Sequence, residues 1–227
     1  MGTEQDRTRA FIERWQGTTA SELSTSQSFV IELCELLGVA RPHATAEQDY
    51  MFERPVTFAH GDGSSSAGRI DCYRCGAFIW ESKKLKPGSA AAAAGATSKA
   101  FDDALLRARA QAEAYARALP ASEGRPPFLV VVDVGHVIEL YAEFTRSGAT
   151  YTPFPDSRSH RIRLADLAID AVRQRLRALW ADPLSLDPAR VSARVTRLVA
   201  AELAELAKSL EAAGHLLGRV ADRKSVV

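Results

Sequence analysis

The chain has 227 residues and a formal net charge of +1 at pH 7, a length that allows one full domain and part of a second. Hydrophobic residues make up 46% of it and charged residues 25%, which excludes a disordered or fibrous polypeptide. The balanced charge excludes a histone-like protein that binds DNA by bulk electrostatics. We expect a cytoplasmic protein outside the membrane, because three cysteines are too few for a disulfide framework and no signal-peptide or membrane-spanning pattern is found.

The first third of the chain predicts two helices followed by strands. Apolar residues recur at helical spacing over two segments, Thr8–Trp15 and Gln27–Leu37, and Gly38 ends the second. Tyr50–Phe58 is extended in pattern, and the glycine- and serine-rich residues 59–68 predict a flexible loop. The runs GRIDCYRC and AFIWESK then predict two strands joined near Gly76 by a short hairpin turn.

The middle and end of the chain predict a second helix–strand succession. Residues 86–98 are of low complexity and predict a mobile loop, after which Lys99–Leu119 predicts a helix. The run PPFLVVVDVG predicts a strand buried on both faces, and HVIELYAEF its antiparallel neighbour. After an extended Tyr151–Phe154, helices are predicted over Leu164–Trp180 and Ala189–Gly214. The order predicts an α/β fold in which helices flank a mixed sheet.

Two boundaries are expected near the end of the chain. The double-proline segment ADPLSLDP separates the last two helices, which predicts one domain over residues 1–180 and the start of a helical spacer over 181–221. The final residues 222–227, DRKSVV, follow no helical or core pattern and match what a sequencing adapter encodes in frame. We therefore treat them as an artificial tail and expect the natural protein to continue further.

The predicted hairpin around Gly76 contains the candidate catalytic residues. Reflecting Asp71 through a turn centred near residue 76 places it opposite Glu81, and Lys83 shares the face of Glu81. Adjacent carboxylates repel unless a cation lies between them, and hard oxygen ligands suit Mg²⁺. A lysine beside the metal can orient water and stabilise a phosphorane-like transition state. A surface hairpin with a cross-strand salt bridge would show the same spacing of Asp71, Glu81 and Lys83. The position of this hairpin in a succession of a helix, three strands, a helix and a strand favours the metal site.

Asp71, Glu81 and Lys83 resemble the PD-(D/E)XK nuclease motif, with Ile70 in place of the leading proline. The likeness extends over about residues 8–180. The ordered segments FIERWQG, FVIELCELLGVARP, YMFERPV, GRIDCYRCGAFIWESKK, QAEAYARALP, PPFLVVVDVGHVIELYAEF and YTPFPD together resemble the N-terminal nuclease region of MmeI-like, type IIL, restriction–modification enzymes. The resemblance implies a PD-(D/E)XK nuclease-like sheet flanked by helices.

The resemblance also implies site residues. Mg²⁺ would be held by Asp71, Glu81 and the backbone carbonyl of Ser82, with Lys83 assisting the attacking water. Gln111 and Tyr115, four apart on a helix, resemble a Gln-x3-Tyr motif that supports such sites, although an amphipathic helix with a buried tyrosine is equally typical. Glu32 is either an auxiliary carboxylate of the site or a solvent-exposed residue. Four cations could contact the phosphates of the DNA backbone: Arg69, Lys84, Lys86 and Lys99.

In that family one polypeptide also carries an adenine-N6 methyltransferase that uses S-adenosylmethionine, and a target-recognition region. Neither pattern occurs in this sequence. The expected function is a Mg²⁺-dependent endonuclease module acting on double-stranded DNA, with transient dimerisation possible for double-strand cleavage. The alternative is a catalytically silent DNA-docking or interaction module left by truncation. Cys72-x2-Cys75 lacks a second ligand pair, so a zinc site is not expected.

Overall fold

The computed structural model describes residues 3–16, 18, 22–43, 45, 48–83 and 99–224. The chain divides into two compact units, Met1–Leu184 and Ser185–Val227. Among the residues described, no helix combines the length and apolar character that crossing a membrane requires.

Two helices open the first unit, α1 (Glu4–Trp15) and α2 (Glu22–Leu37). Helix α1 begins at a capping box, in which the Thr3 and Asp6 side chains each accept a hydrogen bond from the backbone N–H of the other residue. Helix α2 ends at Gly38, whose φ of +67° is a left-handed conformation that glycine adopts without strain. The helices start earlier than predicted, but the predicted end at Gly38 is confirmed.

Seven strands form one mixed sheet in the order β1-β2-β3-β4-β5-β6, with β7 also paired to β5. All neighbours are antiparallel except β3 and β4, which run parallel. A parallel pair needs a crossover connection, and that connection contains α3 (Lys99–Ala118). The strands are β1 (Tyr50–Ala59), β2 (Ser65–Arg74), β3 (Phe78–Lys83), β4 (Phe128–Asp133), β5 (Val137–Ala142), β6 (Thr152–Pro153) and β7 (Arg161–Arg163).

Helices cover both faces of the sheet. On one face, α3 packs over a cluster that includes Ile79 and Val131. On the other face, the ring of Trp80 lies 6.3 Å from Phe29 of α2, and α4 (Asp170–Ala181) packs there through Trp180. Every residue of β4 is buried, as a strand covered on both faces requires. The predicted α/β fold, a mixed sheet flanked by helices, is confirmed.

Two sequence predictions are wrong in detail. The loop predicted over residues 59–68 is shorter, because Ser65 already begins β2 and its residues pair with β1 up to Ala59. The single helix predicted over 164–180 is broken at Ile169, whose backbone is extended (φ −82°, ψ 121°). A 3₁₀ segment, Leu164–Ala168, precedes that residue and α4 follows it. The predicted loop over 86–98 lies outside the described residues.

The second unit contains α5 (Pro188–Lys224), a helix of 37 residues. Several of its apolar side chains are exposed, among them Val195, Leu198, Leu206 and Leu210. The helix predicted over Ala189–Gly214 is present as α5, and it continues beyond the predicted end at Gly214.

Candidate functional site

The β2–β3 ribbon brings two carboxylates to neighbouring positions. Its paired register ends with Cys72 opposite Trp80, so that Asp71 stands one residue further along, across from Glu81. The Asp71 side chain reaches toward β3, where its Oδ2 accepts a hydrogen bond of 2.7 Å from the Ser82 N–H. The two acidic positions are therefore cross-strand neighbours, as reflection through the hairpin turn predicts.

Glu81 lies on the face of the sheet that α3 covers. In the parallel register it stands opposite Val131, and Val131 belongs to the apolar cluster beneath α3. Glu81 is only 2% exposed. A carboxylate buried to this degree is stable as an ion only beside a cation, a metal or hydrogen-bond donors. An ionised Glu81 therefore needs one of these partners at this position.

Ser82 connects the end of β3 to β2 and to α2. Its N–H is bound by Asp71, and its side chain lies on the opposite face of the sheet from Glu81. There Ser82 Oγ accepts a hydrogen bond of 2.9 Å from Trp80 Nε1 and lies 2.5 Å from Ser26 Oγ on α2. These contacts hold the strand that carries Glu81 against both β2 and α2.

Lys83 is the last residue of β3, and its described part is the backbone, which stands opposite Asp133 of β4. Strand alternation predicts that Lys83 shares the face of Glu81. The sheet therefore places the three motif positions, Asp71, Glu81 and Lys83, at one edge formed by the C-terminal end of β3.

A third carboxylate, Glu53, lies beside Asp71 and was missed by sequence reasoning. Burial and the charge of Asp71 raise the pKa of Glu53, while the charge of Arg69 opposes the increase. Arg69 NH1 lies 3.9 Å from Glu53 Oε2. Glu53 has a φ of +53°, and it interrupts the β1–β2 register between Phe52 and Arg54. No sequence pattern signals such a left-handed glutamate, because the conformation is uncommon for residues other than glycine.

Gln111 and Tyr115 share one face of α3, as their spacing predicts. Gln111 Nε2 donates a hydrogen bond of 2.9 Å to Tyr115 Oη. The Tyr115 ring stacks on Phe58 of β1 at a centroid distance of 5.6 Å, and it also lies close to Gly68 of β2. The pair therefore packs over the β1–β2 ribbon, three residues along β2 from Asp71. A supporting role for this pair in metal binding stays a prediction.

Gly68→Ala is expected to destabilise the fold by about 1–3 kcal/mol, because an added Cβ overpacks a filled site. That Cβ would lie 2.8 Å from both Phe58 Cε2 and Tyr115 Cε1. The measurement is urea unfolding of the variant and the parent chain. Gly61→Ala is the matched control, since a Cβ there meets nothing within 4 Å. Equal unfolding midpoints for Gly68→Ala and the parent would contradict the tight packing.

Of the remaining sequence candidates, the structure describes three: Glu32, Arg69 and Lys99. Glu32 of α2 accepts a hydrogen bond of 2.9 Å from Trp15 Nε1 and pairs with Arg14 at 2.8 Å, and both of these contacts join α2 to α1. Arg69 is 71% exposed next to Glu53. Lys99 begins α3 and is 93% exposed. Two further phosphate candidates lie outside the described residues: Lys84 and Lys86.

The donor set suits a hard divalent cation. Asp71 and Glu81 supply carboxylate oxygens from paired strands, and the Ser82 carbonyl lies between the two β3 motif side chains in sequence. Oxygen donors of this kind are what Mg²⁺ prefers, usually with several waters retained. Within the described part of the chain, no group of three or more histidine, cysteine or acidic side chains is arranged to hold a metal. A cation would therefore rest on two carboxylates, a carbonyl and water.

Comparison with known proteins gives one result. A family model described as the MmeI N-terminal domain matches residues 6–213 of this chain. The comparisons with curated proteins and with solved structures gave no significant match. The matched region begins within α1 and ends within α5, so it includes the whole sheet and all three motif positions.

Proposed function

The chain belongs to the family of MmeI N-terminal domains, a region of type IIL restriction–modification enzymes, and from this premise we propose that it is a Mg²⁺-dependent DNA endonuclease module. Its substrate is the phosphodiester backbone of double-stranded DNA. The adenine-N6 methyltransferase and target-recognition functions of such an enzyme belong to regions outside these 227 residues. The active-site fold proposed is the PD-(D/E)XK type.

One observation carries the proposal. The β2–β3 register puts Asp71 across from Glu81, and Lys83 follows on the same face of β3. The Asp71 carboxylate is oriented by the Ser82 N–H, which donates to its Oδ2 at 2.7 Å. Asp71 on β2 with Glu81 and Lys83 on β3 form the set that hydrolysis of a phosphodiester needs. The two carboxylates can bind a metal ion, and the lysine can orient the attacking water.

Each side chain has a distinct part in the proposed reaction. When bound, Mg²⁺ would supply Lewis-acid chemistry that neutralises charge on the phosphate. Asp71, Glu81 and the backbone carbonyl of Ser82 would hold it, while the Ser82 N–H joins β3 to Asp71 of β2 and the Ser82 hydroxyl joins β3 to Ser26 of α2. Lys83 orients the attacking water and stabilises the extra negative charge of the five-coordinate phosphorus. The water oxygen forms a bond to phosphorus and gives up a proton to solvent, while the bond from phosphorus to the leaving sugar oxygen breaks and that oxygen takes up a proton.

The direct experiment is nicking of supercoiled plasmid by the purified chain. Relaxed circles should accumulate with Mg²⁺ and should not accumulate with EDTA. A chain that carries both Asp71→Ala and Glu81→Ala, purified in parallel, lacks both proposed metal-binding carboxylates and reports any contaminating nuclease. Retained DNA binding without metal-dependent nicking would refute the proposal and favour a catalytically silent DNA-docking module.

The isolated chain is expected to cut without a defined sequence. Its net charge is +1, and the proposed cationic contacts, such as those of Arg69 and Lys99, reach phosphates and carry no base information. Non-specific binding of this kind has dissociation constants of about 10⁻⁴–10⁻⁶ M and weakens steeply with salt. End-mapping of the products should give many dispersed sites. Discrete fragments that share one recurring sequence would contradict this expectation.

A further inference from the structure

The turn that follows β4 lies at the same edge of the sheet as the proposed nuclease site. Because β3 and β4 are parallel, their C-terminal ends meet at that edge, and Asp133 stands opposite Lys83 in the register. Paired strands lie about 4.8 Å apart. Asp133 is 4% exposed, so a second buried carboxylate is next to the backbone of Lys83.

Asp133 holds a histidine at the surface of this edge. His136 Nδ1 lies 3.0 Å from Asp133 Oδ2, and the His136 side chain is 44% exposed. The turn itself is fixed, because the His136 N–H donates to the Asp133 carbonyl at 3.0 Å and the His136 carbonyl accepts from the Leu164 N–H at 2.9 Å. With Nδ1 engaged by the carboxylate, Nε2 is the ring atom left to meet a ligand.

Resting on the proposed nuclease function, we propose that His136 binds a DNA backbone phosphate next to the cleavage site and that Asp133 positions its ring. A ring so held needs little ordering when DNA binds, which is the advantage of a preorganised contact. The ligand is a phosphate because a single ring N–H beside a cationic lysine position can hydrogen-bond a non-bridging phosphate oxygen but cannot identify a base.

The electrostatics of the turn support this contact. The 3.0 Å contact with the Asp133 carboxylate is the largest cause of a raised pKa for His136, and it outweighs the opposing effect of partial burial. The raised pKa favours the doubly protonated ring, in which Nε2 donates. Arg163 of β7, which is exposed, stands opposite Val137 and adds a second cation beside the turn. His136 and Arg163 therefore both lie at the β4–β5 turn, at the edge where β3 and β4 end.

The test is DNA binding with Ca²⁺ replacing Mg²⁺, a condition chosen to observe binding without turnover, over about 50–200 mM salt at one fixed pH near 6.5. The chains compared are the parent, His136→Ala, His136→Arg and, as matched control, His60→Ala, an exposed histidine in the β1–β2 turn. Loss of one phosphate contact lowers the slope of log K against log salt by about 0.9. The affinity ratio of parent to His136→Ala should therefore fall about 3–4-fold across that range.

His136→Arg should restore the parent slope, because a cation is again present, and His60→Ala should match the parent. An unchanged slope in His136→Ala, or no rescue by arginine in a folded variant, would overturn the inference and leave His136 as a brace of the turn. The nicking assay separates the two proposals. A parent chain that binds DNA with a His136-dependent slope but never nicks refutes only the nuclease, whereas nicking with an unchanged slope refutes only the histidine contact.

Discussion

Lys83→Ala is expected to lower Mg²⁺-dependent nicking by about 10²–10⁴-fold, the usual effect of removing a group that assists proton transfer. Lys83 ends β3 two residues after Glu81 and opposite Asp133. Without its ammonium group the attacking water loses its orientation, and the charge on phosphorus loses one stabilising partner. Both losses act on the transition state, so the maximal rate should fall more than the affinity for DNA.

The measurement is single-turnover nicking of supercoiled plasmid with Mg²⁺ in excess, together with DNA binding in Ca²⁺. Lys208→Ala is the matched control, because Lys208 is 71% exposed on α5 and pairs with Glu205. The control should nick at the parent rate. Equal nicking rates for Lys83→Ala and the parent would remove Lys83 from the reaction.

Trp180→Ala is expected to destabilise the first unit by about 3–5 kcal/mol, the range for a large aromatic side chain removed from a core. Trp180 is 1% exposed. Its ring packs 4.8 Å from Phe78 and 6.1 Å from Trp80, and its Nε1 donates to Tyr50 Oη at 2.8 Å. The truncation leaves a cavity between α4 and β3 and deprives a buried hydroxyl of its donor.

Urea unfolding followed by far-ultraviolet circular dichroism measures this loss. Trp180→Phe should cost clearly less, since it keeps most of the aromatic packing and removes only the indole donor. Gln174→Ala on the exposed side of the same helix is the control and should stay within about 0.5 kcal/mol of the parent. A Trp180→Ala chain with a free energy of unfolding close to the control would show that α4 does not contribute to the core.

The candidate motif was predictable because it is local. Asp71 and Glu81 are ten residues apart, and a tight turn between two short alternating runs leaves few possible registers. The same locality made Gln111 and Tyr115 predictable, since residues four apart on a helix share a face. The predictions that were wrong also concerned local segments, where the signals were weak. Serines at 65 and 66 resemble a loop until β1 supplies strand partners, and Ile169 interrupts a segment whose apolar spacing continues as if helical.

The sequence by itself determined the order of helices and strands, the buried character of β4 and the pairing of the two motif carboxylates, because periodicity and turn length act over a few residues. Only the tertiary structure decided which distant residues surround that motif. It brought Ser26 to Ser82 across 56 positions, set Glu53 beside Asp71 in a left-handed conformation, and placed Asp133 and His136 at the edge where β3 ends. The physical reason is that a parallel β3–β4 pair and helices packed on both faces are fixed by burial of the whole core, and no short segment of the chain contains that information.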